Sequence, residues 1–269
     1  SVTIISVDFE PFVITDIQTA VFDDEVPVDE NVRIFGPGAT IAQDLEPEYI
    51  ALSHNPSIAW VSCQENNAIA KLNVKTAKFE WVKGLGLKNH LMPKNPLDAS
   101  SKEDAINIQN WPVWGMYQPD SIASVQIRGI NYILTANEGD VRKFEEERIK
   151  DVDLNTEMFP DAEILQDNAN LGCLNITTEF PSETDSDGTF TKLACYGGRS
   201  FSIWCETGND DLELVYDSGD AFEKIISAQI PEGFNSTNDE GDSFDNRSDD
   251  KGPEPRSSIS RVNLPFQGS

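Results

Sequence analysis

The clearest pattern in the chain is an alternation of apolar and polar residues on either side of Gly129. Two runs rich in β-branched residues, Ile122 to Ile127 and Ile130 to Thr135, are separated by this glycine. Alternation with a period of two, interrupted by a short turn, predicts two antiparallel strands. The second run ends in the acidic corner Asn137-Glu-Gly-Asp, and the pattern therefore predicts a loop with functional groups at the strand end.

An earlier copy of this unit begins at Pro47. The string Pro47 to Ala51 (PEYIA) corresponds to Pro119 to Ala123 (PDSIA), and each copy continues through a turn into a second strand that ends near an Asn/Glu pair. Repetition of a short antiparallel unit is typical of a β-propeller, an all-β fold built of four-stranded antiparallel blades. A β-sandwich is the alternative, because it can contain the same unit.

The residues after Pro47 predict one complete blade. Its four strands are Tyr49 to Leu52, Ala59 to Cys63, Ala68 to Val74 and Phe79 to Val82. Turn-forming residues, Asn66-Asn67 among them, separate these runs. This is the best-formed unit in the sequence.

Further along the chain the pattern predicts a second antiparallel set and several short helices. The set consists of the runs Leu193 to Tyr196, Arg199 to Cys205 and Leu212 to Tyr216. Short helices are predicted at Thr15 to Phe22, Arg142 to Lys150 and Phe222 to Ala228. The sequence therefore divides into a partial propeller over residues 1–255 and an irregular, polar tail over residues 256–269.

The formal net charge of −27 points to the class of partner. A surface this acidic repels the nucleic acid backbone and anionic membranes. Carboxylate oxygens are the ligands that Ca²⁺ prefers, so Ca²⁺ is the predicted cofactor. The alternative is an acidic surface that only maintains solubility. No apolar run approaches the about 20 residues of a membrane-spanning helix, and no transmembrane segment is predicted.

Cysteines and glycosylation motifs bear on the compartment. The four cysteines form no CxxC pair, and only two histidines occur, which argues against zinc. Two disulfides or buried free thiols are both compatible with four cysteines. Three N-x-[S/T] motifs, at Asn175, Asn235 and Asn246, predict N-glycosylation and a secreted or cell-surface protein.

The sharpest metal-binding motif is Glu183-x-Asp185-x-Asp187-Gly188. Carboxylates at every second position of a tight turn are typical of calcium loops, in which a glycine permits the bend. Ala194 stands where an EF-hand would have its final glutamate. An acidic hairpin turn without an ion is the alternative.

Two further acidic segments are candidates. The segment from Asn238 to Asp250 is either a metal-binding loop or a disordered acidic linker, and its predicted ligands are Asp239, Glu240 and Asp242. The corner with Glu138 and Asp140 is either a ligand site at a strand end or a bulged turn.

The sequence contains no recognisable catalytic motif. Neither histidine lies near a nucleophile motif, and there is no GxSxG, HExxH or phosphate-binding glycine loop. No catalytic residue is predicted. If the protein is an enzyme, metal-bound water beside carboxylates is the mechanism that the composition favours.

Six strings carry a resemblance to a known family. They are Phe35-Gly-Pro-Gly-Ala-Thr, Asp44-Leu-Glu-Pro-Glu-Tyr-Ile-Ala, Gln64-Glu-Asn-Asn-Ala-Ile-Ala, Thr135-Ala-Asn-Glu-Gly-Asp, Arg199-Ser-Phe-Ser-Ile-Trp and Arg247-Ser-Asp-Asp-Lys-Gly-Pro-Glu-Pro. In this order they resemble the choice-of-anchor I domain, which bacterial surface proteins share with the mesenchyme-specific cell-surface glycoproteins of skeleton-building animals. The likeness covers roughly residues 32–255.

The resemblance implies an extracellular β-propeller associated with calcified tissue, in a family whose members are often described as alkaline-phosphatase-like. The acidic positions that it implies are Glu138, Asp140, Asp185, Asp187, Asp239, Glu240, Asp249 and Asp250. The family continues with further strands after Pro255, whereas here Arg256 begins a different tail. An incomplete propeller has open sheet edges, and another protein chain is the predicted partner that closes them.

Three functional hypotheses follow from the sequence. The first is an acidic, glycosylated, extracellular propeller that binds Ca²⁺ and has a structural role in a mineral-associated matrix or at the cell surface. The second is a metal-dependent phosphoester hydrolase, and the third is a protein-interaction module without metal. The predicted partners are calcium or a mineral surface, with no nucleic acid.

Overall fold

The computed structural model describes residues 1–103, 105–142, 144–208, 210–237 and 243–256. Strands make up 38% of the chain and helices 9%, so the all-β prediction is confirmed. The strands are β1 Val2–Phe9, β2 Phe12–Ala20, β3 Ile50–Leu52, β4 Ile58–Cys63, β5 Ala68–Asn73, β6 Lys78–Gly84, β7 Leu87–Asn89, β8 Trp114–Met116, β9 Pro119–Ile127, β10 Ile130–Asn137, β11 Glu146–Arg148, β12 Asn175–Thr177, β13 Glu183–Thr184, β14 Phe190–Lys192, β15 Ala194–Cys195, β16 Ser200–Thr207 and β17 Asp211–Asp217. The helices are α1 Ile41–Asp44, α2 Ala162–Leu165 and α3 Ala221–Gln229, with 3-10 turns at Ile149–Asp151 and Pro231–Gly233.

The first sheet is the antiparallel meander β3-β4-β5-β6, as the sequence predicts. Alternate residues of β4 enter different cores: Trp60 packs on one side of the sheet, whereas Ala59 and Val61 pack on the other. Both faces are therefore buried. Asn67 has a φ of 50° in the turn between β4 and β5, a conformation that asparagine tolerates better than most residues.

The second sheet has the order β9-β10-β16-β17. Its first two strands form the predicted hairpin, and Arg128 (φ 53°) and Gly129 (φ 82°) make the two-residue turn between them. Positive φ at both turn residues matches the right-handed twist of the strands. Trp204 of this sheet joins Ile133, Trp60 and Trp81 in one core, and the two repeat units thus share a hydrophobic interior.

The predicted set of strands at residues 193–216 is wrong in part. β16 and β17 pair as expected, but β15 belongs to a third, mixed sheet of order β11-β12-β15-β8-β7, where it runs parallel to β8. The chain leaves this sheet at Gly197, where a side chain would meet the Glu138 carbonyl oxygen at 2.3 Å. After Gly197 the chain forms β16, which pairs with β10, and β15 and β16 therefore belong to different sheets.

Two of the three helix predictions are also wrong. Residues 15–20 belong to β2, which pairs with β1. Within Arg142 to Lys150, the segment Glu146–Arg148 is strand β11, paired with β12. The helix is displaced because Glu145 is buried and its carboxylate binds Arg33 and Thr177, a long-range contact that local propensity cannot anticipate. The third prediction is confirmed by helix α3.

The β1–β2 hairpin packs on the body at its base only. Val2 and Ala20 are buried in the core of the first sheet, whereas Phe9 and Phe12 at the tip are 77% and 70% exposed. Within the described residues, β1 and β2 hydrogen-bond as a sheet with each other alone.

The four cysteines are free thiols. Cys63, Cys173 and Cys195 are buried, and burial raises the pKa of the Cys195 thiol to about 11. Of the two possibilities that the cysteine count leaves open, the structure has the free thiols.

Candidate functional site

The predicted corner Asn137-Glu-Gly-Asp lies where β10 ends, and two glycines allow its shape. Gly139 has a φ of 98°, and a Cβ there would meet Gly197 at 2.6 Å. The side chain of Gln118 holds the two turns together, because its amide donates to the Asp140 carbonyl (2.7 Å) and accepts from Gly197 N (3.1 Å). These contacts therefore fix the backbone of the corner.

Glu138 and Asp140 differ in their surroundings. Glu138 is buried, and its carboxylate accepts hydrogen bonds from Gln64 (3.1 Å) and Arg256 (2.6 Å). Asp140 is half-exposed and pairs with Lys251 at 3.2 Å. Both predicted ligands thus already pair with a basic residue, Glu138 with Arg256 and Asp140 with Lys251.

Further carboxylates surround this corner. Glu46, Glu48 and Glu65 each place a carboxylate oxygen within 4.8 Å of the others. Glu46 and Glu48 precede β3, and Glu65 follows the end of β4. We define the acidic rim as six residues from the two repeat units: Glu46, Glu48, Glu65, Asp120, Glu138 and Asp140.

Three carboxylates of the acidic rim pair with basic residues, Glu46 with Arg142 in addition to the two pairs above, and the other three have raised pKa values. Burial, and then Glu46 and Asp120, raise the pKa of Glu48. Burial raises the pKa of Asp120 as well, with a further contribution from Glu138. Burial followed by neighbouring glutamates likewise raises the pKa of Glu65. Among the described residues, Glu48, Glu65 and Asp120 form no ion pair. A cation that these carboxylates bind through their oxygens would relieve the repulsion between them.

The acidic rim includes residues that the sequence analysis did not select as ligands. Glu46, Glu48, Glu65 and Asp120 were not among the predicted metal residues. The signal was present for two of them, because Glu48 and Asp120 hold the same position in the two repeat copies. An acidic residue repeated at equivalent positions of adjacent sheets places two carboxylates at one edge.

The predicted calcium loop has a different geometry. The carboxylate of Asp185 accepts hydrogen bonds from Thr189, from Asn155 (2.8 Å) and from backbone amides of its own turn. These bonds, led by that of the Thr189 hydroxyl, lower the pKa of Asp185 to about 2. Glu183 pairs with Lys192 at 2.9 Å, and Asp187 is exposed. Calcium binding by this loop stays a prediction.

The acidic segment from Asn238 to Asp250 is described in its second half. The predicted ligands Asp239, Glu240 and Asp242 lie outside the described residues. Asp249 and Asp250 both pair with Arg148. Asp245 is 2% exposed.

The three glycosylation motifs lie in different environments. Asn175 and Asn235 are buried, and their amide nitrogens donate to Asp250 and Ser248 respectively. Asn246 is exposed, and among the described residues its amide oxygen accepts from Thr237 N. Glycosylation stays a prediction at all three, and Asn246 has the accessible nitrogen.

The histidines offer no catalytic arrangement among the described residues. His54 is exposed. His90 is buried, with its Nδ1 at 2.8 Å from the Asn95 carbonyl, and burial lowers its pKa to about 3. A ring held neutral in this way packs as part of the interior.

Hydrogen bonds join the six family strings in pairs. Phe35 N donates to Asp44 (2.9 Å), Gln64 to Glu138 (3.1 Å), and Arg199 to the Ser248 carbonyl (2.7 Å). The strings that are separated in sequence therefore meet in space. The side chains of Asp44, Gln64, Glu138 and Arg199 make these contacts.

The chain belongs to the choice-of-anchor I domain family, whose model matches residues 1–260. Among curated proteins it is 40% identical to Gigasin-3a of Magallana gigas over 94 residues, which is 34% of this chain and 31% of that protein. It is also 27% identical over 221 residues to a mesenchyme-specific cell surface glycoprotein of Strongylocentrotus purpuratus, covering 73% of this chain and 28% of that protein. The chain thus spans about a third or less of the length of these relatives.

No solved structure matches the chain. Over the described residues, no helix is both long and apolar enough to cross a membrane. The family assignment therefore rests on the sequence match.

Proposed function

We propose that this chain is an acidic, calcium-binding domain with a structural role at the cell surface or in an extracellular matrix. The observation that carries the proposal is the acidic rim. Three of its carboxylates form no ion pair among the described residues, and burial, with a further contribution from neighbouring carboxylates, raises their pKa values. A bound cation would stabilise the charged forms of these groups. Oxygen ligands without histidine or cysteine favour Ca²⁺ over zinc.

We infer that the two repeat units are neighbouring blades of a β-propeller. Each is a four-stranded antiparallel sheet, and they share one core. The charge of Asp120 contributes to the raised pKa of its equivalent Glu48, in agreement with a common edge. Radial packing of such blades gathers strand ends around an axis.

The surface location is supported by the likeness to a cell surface glycoprotein. Biomineralisation is the setting that the family resemblance implies, and an acidic surface that binds Ca²⁺ is suited to contact with a calcium mineral. A second chain that closes an open sheet edge stays a prediction. The alternative of a phosphoester hydrolase also stays a prediction. Measuring the turnover of a generic phosphomonoester with added Ca²⁺ would test it.

Calorimetric titration with Ca²⁺ tests the calcium proposal. We expect the wild type to bind Ca²⁺ and to unfold at a higher temperature in its presence, because a ligand that binds only the folded state stabilises it. The double variant Glu48→Gln/Asp120→Asn should bind less Ca²⁺. The control Glu157→Gln/Glu163→Gln removes the same charge from exposed positions and should bind like the wild type. Absence of both heat and stabilisation at millimolar Ca²⁺ would refute the proposal.

A further inference from the structure

A second group of carboxylates lies apart from the acidic rim, inside the protein. Asp98 and Glu103 belong to a loop closed by the bridge between Leu97 and Gln109. Asp245 belongs to the segment after the undescribed residues 238–242. One carboxylate oxygen from each of the three residues lies within 4.8 Å of the other two.

Two members of this group are buried and Glu103 is partly buried. Asp98 is 0% exposed and Asp245 is 2% exposed. Oδ2 of Asp245 and Oε1 of Glu103 are buried without a hydrogen-bond partner. Within the described part of the chain, none of the three carboxylates forms an ion pair, whereas neighbouring Asp249 is bound by Arg148 and Lys102.

Charge in such a place is unfavourable without a counter-ion. Burial raises the pKa of Asp98 to about 7, and the charge of Asp245 adds to the effect. Burial likewise raises the pKa of Asp245 to about 7, with Glu103 among the contributing charges. An apolar residue at any of these positions would avoid the repulsion, yet three acids from two separate segments converge.

The surrounding backbone holds the group in place. The oxygens of Asp98 accept from Ser100 N (3.3 Å) and Asn107 N (2.5 Å), which fixes the carboxylate. Arg199 donates to the Asp98 carbonyl and to the Ser248 carbonyl, and it thereby joins the two segments. The arrangement is therefore organised before any ligand binds.

We infer that Asp98, Glu103 and Asp245 form a buried binding site for one Ca²⁺ ion. A Ca²⁺ ion with Ca–O distances of about 2.3–2.6 Å spans about 5 Å between opposite ligands, which suits the separation of these oxygens. Backbone carbonyls and water would complete the six to eight ligands that Ca²⁺ takes. The inference rests on the proposed calcium binding and adds an interior site that ties a loop of the 98–109 region to the 243–256 segment.

The test compares two Asp→Asn variants of the whole chain by Ca²⁺ titration and thermal unfolding. Asp245→Asn removes a buried ligand, and Asp24→Asn removes the same charge from an exposed position outside every candidate site. We expect Asp245→Asn to lower the affinity of one site by about tenfold or more. Its unfolding temperature without Ca²⁺ should be unchanged or higher, because a like-charge contact is relieved.

The outcomes separate this inference from the proposed function. Ca²⁺ binding by the wild type with the same stoichiometry and affinity in Asp245→Asn would overturn the interior site and leave calcium binding by the domain intact. No binding by the wild type would overturn both. Glu103→Gln, at a partly exposed position, serves as the second variant if Asp245→Asn does not fold, and it should show the same loss.

Discussion

Replacing Arg199 with leucine removes a guanidinium group that joins three parts of the fold. Its Nη1 atom donates to the Asp98 carbonyl (2.6 Å) and to Glu223 of α3 (2.9 Å), and its Nη2 atom donates to the Ser248 carbonyl (2.7 Å). The side chains of Arg199 and Glu223 are 3% and 2% exposed. Leucine can replace the volume of the stem but none of these bonds.

The expected loss in the free energy of unfolding follows from burial. Removal of one partner from a buried ion pair costs about 3–5 kcal/mol, because the remaining charge stays in a medium of low polarity. The Glu223 carboxylate would be that charge, although Asn235 and the Asp98 amide still donate to it. By contrast, the exposed pair of Lys192 and Glu183 contributes about 0–1 kcal/mol.

The assay is urea-induced unfolding followed by tryptophan fluorescence, for Arg199→Leu and for the control Lys192→Leu. We expect a loss of about 3–5 kcal/mol in the first and less than about 1 kcal/mol in the second. The double variant Arg199→Leu/Glu223→Leu should recover part of the loss, since it also removes the unpaired carboxylate. Equal losses in Arg199→Leu and Lys192→Leu would refute the reasoning.

Three further predictions concern other features of the structure. His90 has an ordinary pKa of 6.5 when unfolded and a pKa of about 3 when folded, so the unfolded state binds its proton first and stability falls as the pH drops from 6.5 towards 3. His90→Asn should flatten the pH dependence of the urea midpoint, whereas His54→Asn, at an exposed position, should leave it unchanged. The same pH dependence in both variants would contradict the lowered pKa of His90. Gly139→Ala should lower the unfolding temperature more than Gly129→Ala. Both glycines have positive φ, but only at Gly139 would a Cβ also lie 2.6 Å from a neighbouring backbone. Equal shifts in the unfolding temperature would argue against this close approach. On secretion from a glycosylating host, Asn246→Gln should lower the mass by one glycan, and an unchanged mass would show that the accessible nitrogen is not the one modified.

The sequence predicts the local elements of this fold well, because they depend on neighbouring residues. The meander β3 to β6 and the β9–β10 hairpin follow from alternation and from turn residues such as Asn67 and Gly129. In each case the partner strand is the next in sequence. Strand pairing then needs no information from distant segments.

The elements that the sequence does not predict depend on distant contacts. The helix expected at residues 142–150 gives way because Glu145 binds Arg33 in the interior. The strands before and after Gly197 belong to different sheets because that glycine lies against the 137–140 corner. Neither contact leaves a periodic trace in the sequence.

The same distinction applies to the candidate sites. The Glu138 and Asp140 corner could be identified because it ends an alternating run. Glu48 and Asp120 were not predicted, although their equivalent positions in the repeat are a signal that could have found them. Asp98 and Glu103, however, are far in sequence from Asp245 and have no motif in common with it. Only the path of the chain brings them together.

The β1–β2 hairpin packs on the body at its base only, and this affects the hydrogen exchange of its backbone amides. A two-stranded hairpin in water has little stability of its own, and the buried Val2 and Ala20 hold only its base. Amide hydrogens near Phe9 and Phe12 should therefore take up deuterium fastest, with protection rising residue by residue towards the base. The hairpin should unfold locally from its tip while the sheet on which its base packs stays folded.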